Sequence, residues 1–297
     1  GGTMASTREW IEGARPRTLG AAVAPIAVGT GVAASVGALH PLRALLALVV
    51  MLAAQVGANY ANDYSDGVRG TDRDRVGPVR LVGQGLAAPA QVRRAALASL
   101  TVSAIAGLTL VAVIGQWWLL LVGAAALLAA WLYTGGPRPY GYLGLGEVFV
   151  FVFFGVVPVV GTAYVQALAV PTSAWVASIG VGALTCAVLV ANNLRDIPSD
   201  AEAGKVTLAV RWGDRATRIA YVVLIVSGFA VIVPLALPAG LGLTFAWVAL
   251  LGIVFAIGPL RAIARGDVGR ALVPVLQGTG LLVLTYGLLL GLGIGLS

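Results

Sequence analysis

Two short stretches, NYANDYSDGVRGTD (59–72) and NNLRDIPSDAEAGK (192–205), hold six of the chain's 12 acidic residues, each time beside asparagines. Asn62 and Asp66 are four apart, as are Asn192 and Asp196, and a further acid follows each pair, Asp72 and Asp200. On a helix, residues three and four apart share a face. Asn59, with Asn62 or Asp63, and Asp66 therefore form one polar stripe, and Asn192, Asp196 and Asp200 a second one that Pro198 interrupts. Carboxylates this close repel one another, strongly so when desolvated, so a positive charge is expected between them.

Carboxylate and amide oxygens with no His or Cys nearby suit a hard cation, Mg²⁺ above all. Mg²⁺ keeps part of its water shell and shares substrate phosphates, so two acidic corners facing one hollow read as a clamp for a diphosphate held through metal ions. Asp66, Asp72, Asp196 and Asp200 are the expected metal ligands. Asp63 is either a further ligand or a helix-capping acid. Carboxylates, two divalent ions and a diphosphate still leave a negative balance, which Arg80, Arg138, Arg195 and Lys205 lie near enough in sequence to offset, with Asn193 as a polar neighbour. Arg80 stands in GPVRLVGQG, whose glycines let backbone N–H groups approach a phosphate. Asp74, Arg73, Arg75, Glu202 and Asp214 read instead as solvated loop charges.

The elements that must position these residues are apolar. The 297 residues are 59% hydrophobic and 10% charged, against roughly 25% charged in a soluble domain. That composition implies an all-α polytopic membrane protein, a single domain over 1–297, with Gly1 to Thr3 reading as a cloning remnant ahead of a native start at Met4. Nine segments approach the roughly 20 apolar residues a span needs: 18–36, 42–62, 95–114, 117–134, 143–165, 175–194, 216–237, 243–260 and 271–292. They are uniformly apolar rather than alternating, which favours helices over a barrel. Pro25, Pro158, Pro234, Pro274 and the 40 glycines fit close helix packing. With nine spans, 18 of the 19 cationic residues, all but Arg43, fall on the side of the N-terminus. The positive-inside rule puts that side in the cytoplasm and Ser297 outside. The net charge of +7 then follows from topology, and no nucleic-acid partner is expected. The single Cys186 excludes an internal disulfide, and His40 beside Pro41 reads as a turn residue.

The repeated corner, four spans apart, suggests an internal duplication. Together with WIEGARPRTLGAAVAPIAVGTG at the start, YTGGPRPYGYLGLGE after the fourth span and NNLRDIPSDAEAGKVTLAVRWG, it makes the chain resemble the UbiA superfamily of intramembrane prenyltransferases. Within that superfamily it is most similar to the branch acting on 1,4-dihydroxy-2-naphthoate. The resemblance implies nine helices around a central cavity capped by cytoplasmic loops, a lateral opening for an isoprenoid tail, and two Asp-rich motifs that bind Mg²⁺–diphosphate. Asn62, Asp66 and Asp72 fall on the first motif, and Asn192, Asp196 and Asp200 on the second. Asp66, Asp196, Asn62 and Asn192 would carry catalysis.

The implied reaction joins a polyprenyl group from polyprenyl diphosphate to the aromatic acid, with loss of CO₂ and diphosphate, in the cell membrane. Ionisation of an allylic diphosphate needs cations on the leaving group and a dry pocket. Tyr60, Tyr64, Tyr133, Tyr140 and Tyr142 are candidates for the acceptor pocket, or members of an interfacial aromatic belt. Arg138 is a candidate for the acceptor's carboxylate. Prenylation of 4-hydroxybenzoate or another aromatic acceptor, and phosphoribosyl transfer, are rivals within the superfamily. A secondary transporter is the rival from outside, but transporters place acids near the bilayer midplane, whereas these acids stand at the ends of their spans.

Overall fold

The computed structural model describes residues 5–70 and 78–297. Asp72, expected as a metal ligand, lies outside the described residues, as do Arg73, Asp74 and Arg75. Among the described residues the chain is helical throughout, with no strand. After a short α1 (Thr7–Gly13) come α2 (Gly20–Ser35), α3 (Pro41–Arg69), α4 (Pro89–Ile114), α5 (Leu119–Leu132), α6 (Gly146–Ala167) and α7 (Thr172–Arg195). A six-residue α8 (Ile197–Glu202) leads to α9 (Leu208–Ala236), α10 (Thr244–Arg265) and α11 (Gly269–Gly295). Each apolar segment read from the sequence is helical.

Seven of these helices are long and apolar enough to cross a membrane: α3, α4, α6, α7, α9, α10 and α11. The 7–18 segment and α2 meet at 45°, and counted as one bent span they bring the number to eight. Helix α5 is apolar but shorter. The chain is a multi-pass membrane protein, since backbone groups in hydrocarbon must bond within their own helix.

The spans pack through small residues. A Cβ added to Gly31 of α2 would meet the Gly291 carbonyl of α11 at 2.0 Å, and one on Gly155 of α6 would meet the Gly182 Cα of α7 at 2.5 Å. Close approach of this kind supplies the dispersion contacts that hold helices together where no hydrophobic drive exists. Helix α7 is the most buried span, packed against α9, α6 and α11.

The first motif helix runs past the span bound read from the sequence, and the second ends where the sequence reading puts its end. Helix α3 continues as regular helix to Arg69, past the expected end at Asn62, because the 78–86 loop and the 133–142 segment cover its polar last turns. Gly70 then closes it in the left-handed conformation at φ 77°, where an L side chain would be strained. Helix α7 stops at Arg195, and Pro198 sits in the first turn of α8, where its missing N–H has no helical partner to lose.

Candidate active site

A cavity of about 1430 Å³ lies between α2, α3, α4, α5 and α6, with α7 and α11 closing its far wall. Its inner stretch is apolar, lined by Met51, Leu108, Leu127, Phe153 and Val157 among others. Its outer end is polar and gathers residues far apart in sequence: Arg15, Asn59, Asn62, Asp66, Arg80, Thr134, Asn192, Arg195 and Lys205. All of these come from the same end of the bundle.

The first corner is the last three turns of α3. Asn59, Asn62 and Asp66 share the face that lines the cavity, as their spacing requires. Asn62 Oδ1 accepts from Thr134 Oγ1 at 2.8 Å, and Asp66 Oδ1 accepts from the Tyr142 hydroxyl at 2.7 Å. Asn59 Nδ2 donates to the Ala14 carbonyl and to Thr18 Oγ1, both at 2.9 Å, tying α3 to the chain's first turn. Asp63 is one residue off this face and fully buried. Its two oxygens accept the Leu81 and Val82 backbone N–H groups at 2.7 and 3.2 Å. It therefore anchors the loop that carries Arg80 and is not among the residues lining the cavity.

The second corner is the junction of α7 and α8. Asn192 and Arg195 line the cavity. Asp196 and Asp200 are buried and do not, because the backbone leaves the helix at Asp196 and turns its side chain onto Arg195. Arg195 Nε and Nη2 grip Asp196 at 2.7 and 2.8 Å, and Nη2 also donates to Asn192 Oδ1 at 2.8 Å. Lys205 Nζ is 3.9 Å from Asp200 Oδ1. Asn193 points away from the cavity and donates to Glu147 Oε1 at 3.0 Å.

Tyr142 joins the corners. Its hydroxyl bonds Asp66 of the first, its ring lies 5.3 Å from Lys205 Nζ of the second, and its carbonyl accepts the Val206 N–H at 3.0 Å. Cation–π contacts of this length are attractive, more so away from water. Arg69 caps the same ring from 5.4 Å.

The remaining expected residues divide. Tyr133 and Tyr140 line the cavity, and Tyr140 stacks on Phe149 at 3.9 Å. Burial holds the Tyr140 hydroxyl well above the usual phenol range, so it stays neutral. Tyr60 instead donates to the Trp10 carbonyl at 2.8 Å, and Tyr64 packs on Trp131. Arg138 is exposed and is not among the lining residues. The sequence reading did not single out Arg15, Thr134, Arg270 or Gln277, which do line the cavity. Arg15 carried a signal in the ARPRTL stretch, a cation followed by proline at the head of a span; the other three carried none.

Residues 22–275 match the model of the UbiA prenyltransferase family. The chain is 54% identical over 288 residues to the 1,4-dihydroxy-2-naphthoate octaprenyltransferase of Mycobacterium tuberculosis, covering 96% of both proteins. It is 38% identical to the protein of the same name from Escherichia coli, covering 99% of this chain and 97% of that one. Two solved structures share its fold. The apo UbiA homolog from Aeropyrum pernix K1 has a TM-score of 0.69 at 17% identity, covering 93% of this chain and 96% of that one. The Archaeoglobus fulgidus homolog bound to GPP and Mg²⁺ has 0.65 at 16%, covering 95% and 99%.

Proposed function

The chain belongs to the UbiA prenyltransferase family, and from that premise we propose that it transfers a polyprenyl group from polyprenyl diphosphate to 1,4-dihydroxy-2-naphthoate, releasing diphosphate and CO₂. One observation carries the reading: a single cavity has Asn62 and Asp66 of the first corner and Asn192 of the second at its polar end, with Tyr142 linking the corners, and runs from there into an apolar bore. A polar head and a long hydrocarbon tail need that combination in one hollow. The relatives that share most sequence carry the matching name.

The donor set fits Mg²⁺. Asp66 offers carboxylate oxygens and Asn62 and Asn192 amide oxygens at the cavity, all hard ligands, and these would hold it; Asp196 and Asp200 would join them only by exchanging Arg195 and Lys205 for the ion. When bound, Mg²⁺ neutralises charge developing on the departing diphosphate. Lys205, Arg195 and Arg80 add their own positive charge at the polar end, where a low dielectric strengthens it. Asn193 and Asp63 act indirectly, by fixing Glu147 and the Arg80 loop. Tyr133 and Tyr140 line the cavity here, with Phe149 and Phe153 beyond them. This apolar sleeve excludes water from an allylic cation until the electron-rich naphthoate ring attacks. The tail lies along the α4 and α5 walls, where Gly107 and Gly123 leave room.

The whole chain acts as one transmembrane domain in the cell membrane. Counting the seven long spans, the bent 7–35 pair and α5 gives nine crossings, which puts the N-terminus and both corners on the cytoplasmic side. The test is to give purified protein polyprenyl diphosphate, Mg²⁺ and either dihydroxynaphthoate or 4-hydroxybenzoate, and to weigh the products. The expected product is a prenylated naphthalenediol lacking the carboxylate. Product from the benzoate alone, or from neither acid, would overturn the assignment.

A further inference from the structure

The stretch that follows the second corner carries charge and an aromatic ring that the proposed reaction leaves unused. Arg211, Trp212 and Arg215 stand at the head of α9, where the chain enters an apolar span. Trp212 is 53% exposed, and both arginines are exposed as well. Gly213, between them, has φ 78° and ψ 177°, a region open essentially to glycine alone. It sets the short turn Leu208–Trp212 off from the rest of α9, and Thr207 caps that turn, its Oγ1 accepting from the Val210 N–H at 3.3 Å.

This turn is fastened to the segment that carries Tyr142. The Val206 N–H donates to the Tyr142 carbonyl at 3.0 Å, and Arg211 Nη2 donates to the Leu143 carbonyl at 3.0 Å. A Cβ added to Gly144 would stand 3.4 Å from Leu208 Cδ2 and 3.5 Å from Arg211 Nε. Exposed apolar side chains therefore lie alongside the arginines: Leu143, then Leu145 and Val148 at the head of α6. Tyr142 also bonds Asp66, so whatever steadies residues 206–212 steadies the cap over the polar end of the cavity.

The acids around this turn are matched elsewhere. Asp214 is gripped by Arg218 at 2.7 and 2.9 Å, Asp267 pairs with Arg265 at 3.0 Å, Asp200 faces Lys205 at 3.9 Å and Glu147 accepts from Asn193. Among the described residues, Arg211, Arg215 and Glu202 at the end of α8 form no ion pair. Two exposed guanidinium groups beside an exposed indole, where a span meets the headgroup layer, are complementary to a phosphate that carries hydrocarbon. The guanidinium fork matches phosphate oxygens, and an indole favours the membrane interface. A free phosphate would use the arginines and leave Trp212, Leu145 and Val148 without a partner. We propose that residues 206–215 dock the headgroup of an anionic phospholipid, and that the bound lipid holds the Tyr142 cap in place.

The test reads lipid binding rather than turnover, so its failure leaves the prenyl-transfer reading standing. Full-length purified protein in detergent is titrated with phosphatidylglycerol or phosphatidylcholine, and bound lipid is counted by native mass spectrometry. The parent should hold phosphatidylglycerol the more tightly. Arg211→Gln combined with Arg215→Gln should weaken that binding about 30-fold, roughly fivefold for each arginine at a charged surface. Arg93→Gln combined with Arg94→Gln removes two exposed cations from the head of α4 and should leave the affinity at the parent value. Hydrogen exchange reads the coupling to the cap: phosphatidylglycerol at about 100 times its Kd should slow exchange of the Val206 amide about 100-fold. Should loss of the Leu143 bond unfold the first double variant, Arg215→Gln alone should still weaken binding about fivefold. Equal affinity for the two lipids, equal losses in the two double variants, displacement of the lipid by pyrophosphate, or unchanged exchange at Val206 would overturn the proposal.

Discussion

The two corners share a spacing and differ in wiring. At the first, Asp66 sits within an unbroken helix and accepts from a neutral hydroxyl, that of Tyr142. At the second, Asp196 stands where the helix breaks and is gripped at both oxygens by Arg195. Yet the residue after each asparagine behaves alike. Asp63 and Asn193 both turn from the cavity and tether a neighbouring segment, and their chemistry matches the tether. A carboxylate meets two backbone N–H groups; an amide N–H meets the Glu147 carboxylate. The difference teaches that the repeated motif fixes which helix faces look into the cavity, while each corner's own neighbours decide how its acids are neutralised.

The largest expected break comes from the acids themselves. Asp66→Asn and Asp196→Asn should each lower kcat/KM by at least about 10³-fold, the scale of losing preorganised charge stabilisation. Only the second should also lower the melting temperature clearly, because it strips a buried Arg195 of its charged partner, a change costing about 3–5 kcal/mol. Equal melting temperatures for the two would erase the contrast. Next in size are the tethers. Asp63→Ala strands two backbone N–H groups, at about 1–3 kcal/mol each, whereas Asn193→Ala removes a single bond to Glu147. Thermal unfolding should rank Asp63→Ala as the less stable, and the reverse order would argue that loop 78–82 holds itself.

Tyr142→Phe sharpens the link between corners. It keeps the ring against Lys205 and Arg69 but removes the Asp66 bond, and should cost about 10-fold in kcat/KM with melting unchanged. No kinetic change would show that the corners do not communicate through this side chain. The smallest effect belongs to Arg138→Ala. Its exposed guanidinium is worth no more than about 0.5 kcal/mol, so activity should stay within about twofold of the parent.

The sequence disclosed the helices because lipid leaves the backbone few alternatives, and it disclosed Asn62, Asp66 and Asn192 because i, i+4 spacing selects a face. It also marked Arg195 and Lys205 by their nearness to the second motif. It could not separate Asp63 from the cavity set, since that depends on a loop nearly 20 residues further on. The roles of Tyr60 and Tyr64 were hidden likewise: both sit beside motif residues, but their rings meet Trp10 and Trp131. Arg15 was obscured because its direction is set by Asn59, over 40 residues away. Contacts between distant segments carry no local pattern.

Whether both corners hold one diphosphate is tested most directly by a double-mutant cycle. Polyprenyl diphosphate binding would be measured by calorimetry, with Mg²⁺ present, for the parent, Asp66→Asn, Asp196→Asn and the double variant. A shared ligand predicts that the two losses fail to add, with a coupling of at least about 1 kcal/mol. Losses that add to within about 0.5 kcal/mol would mean the corners act independently, and would contradict the account.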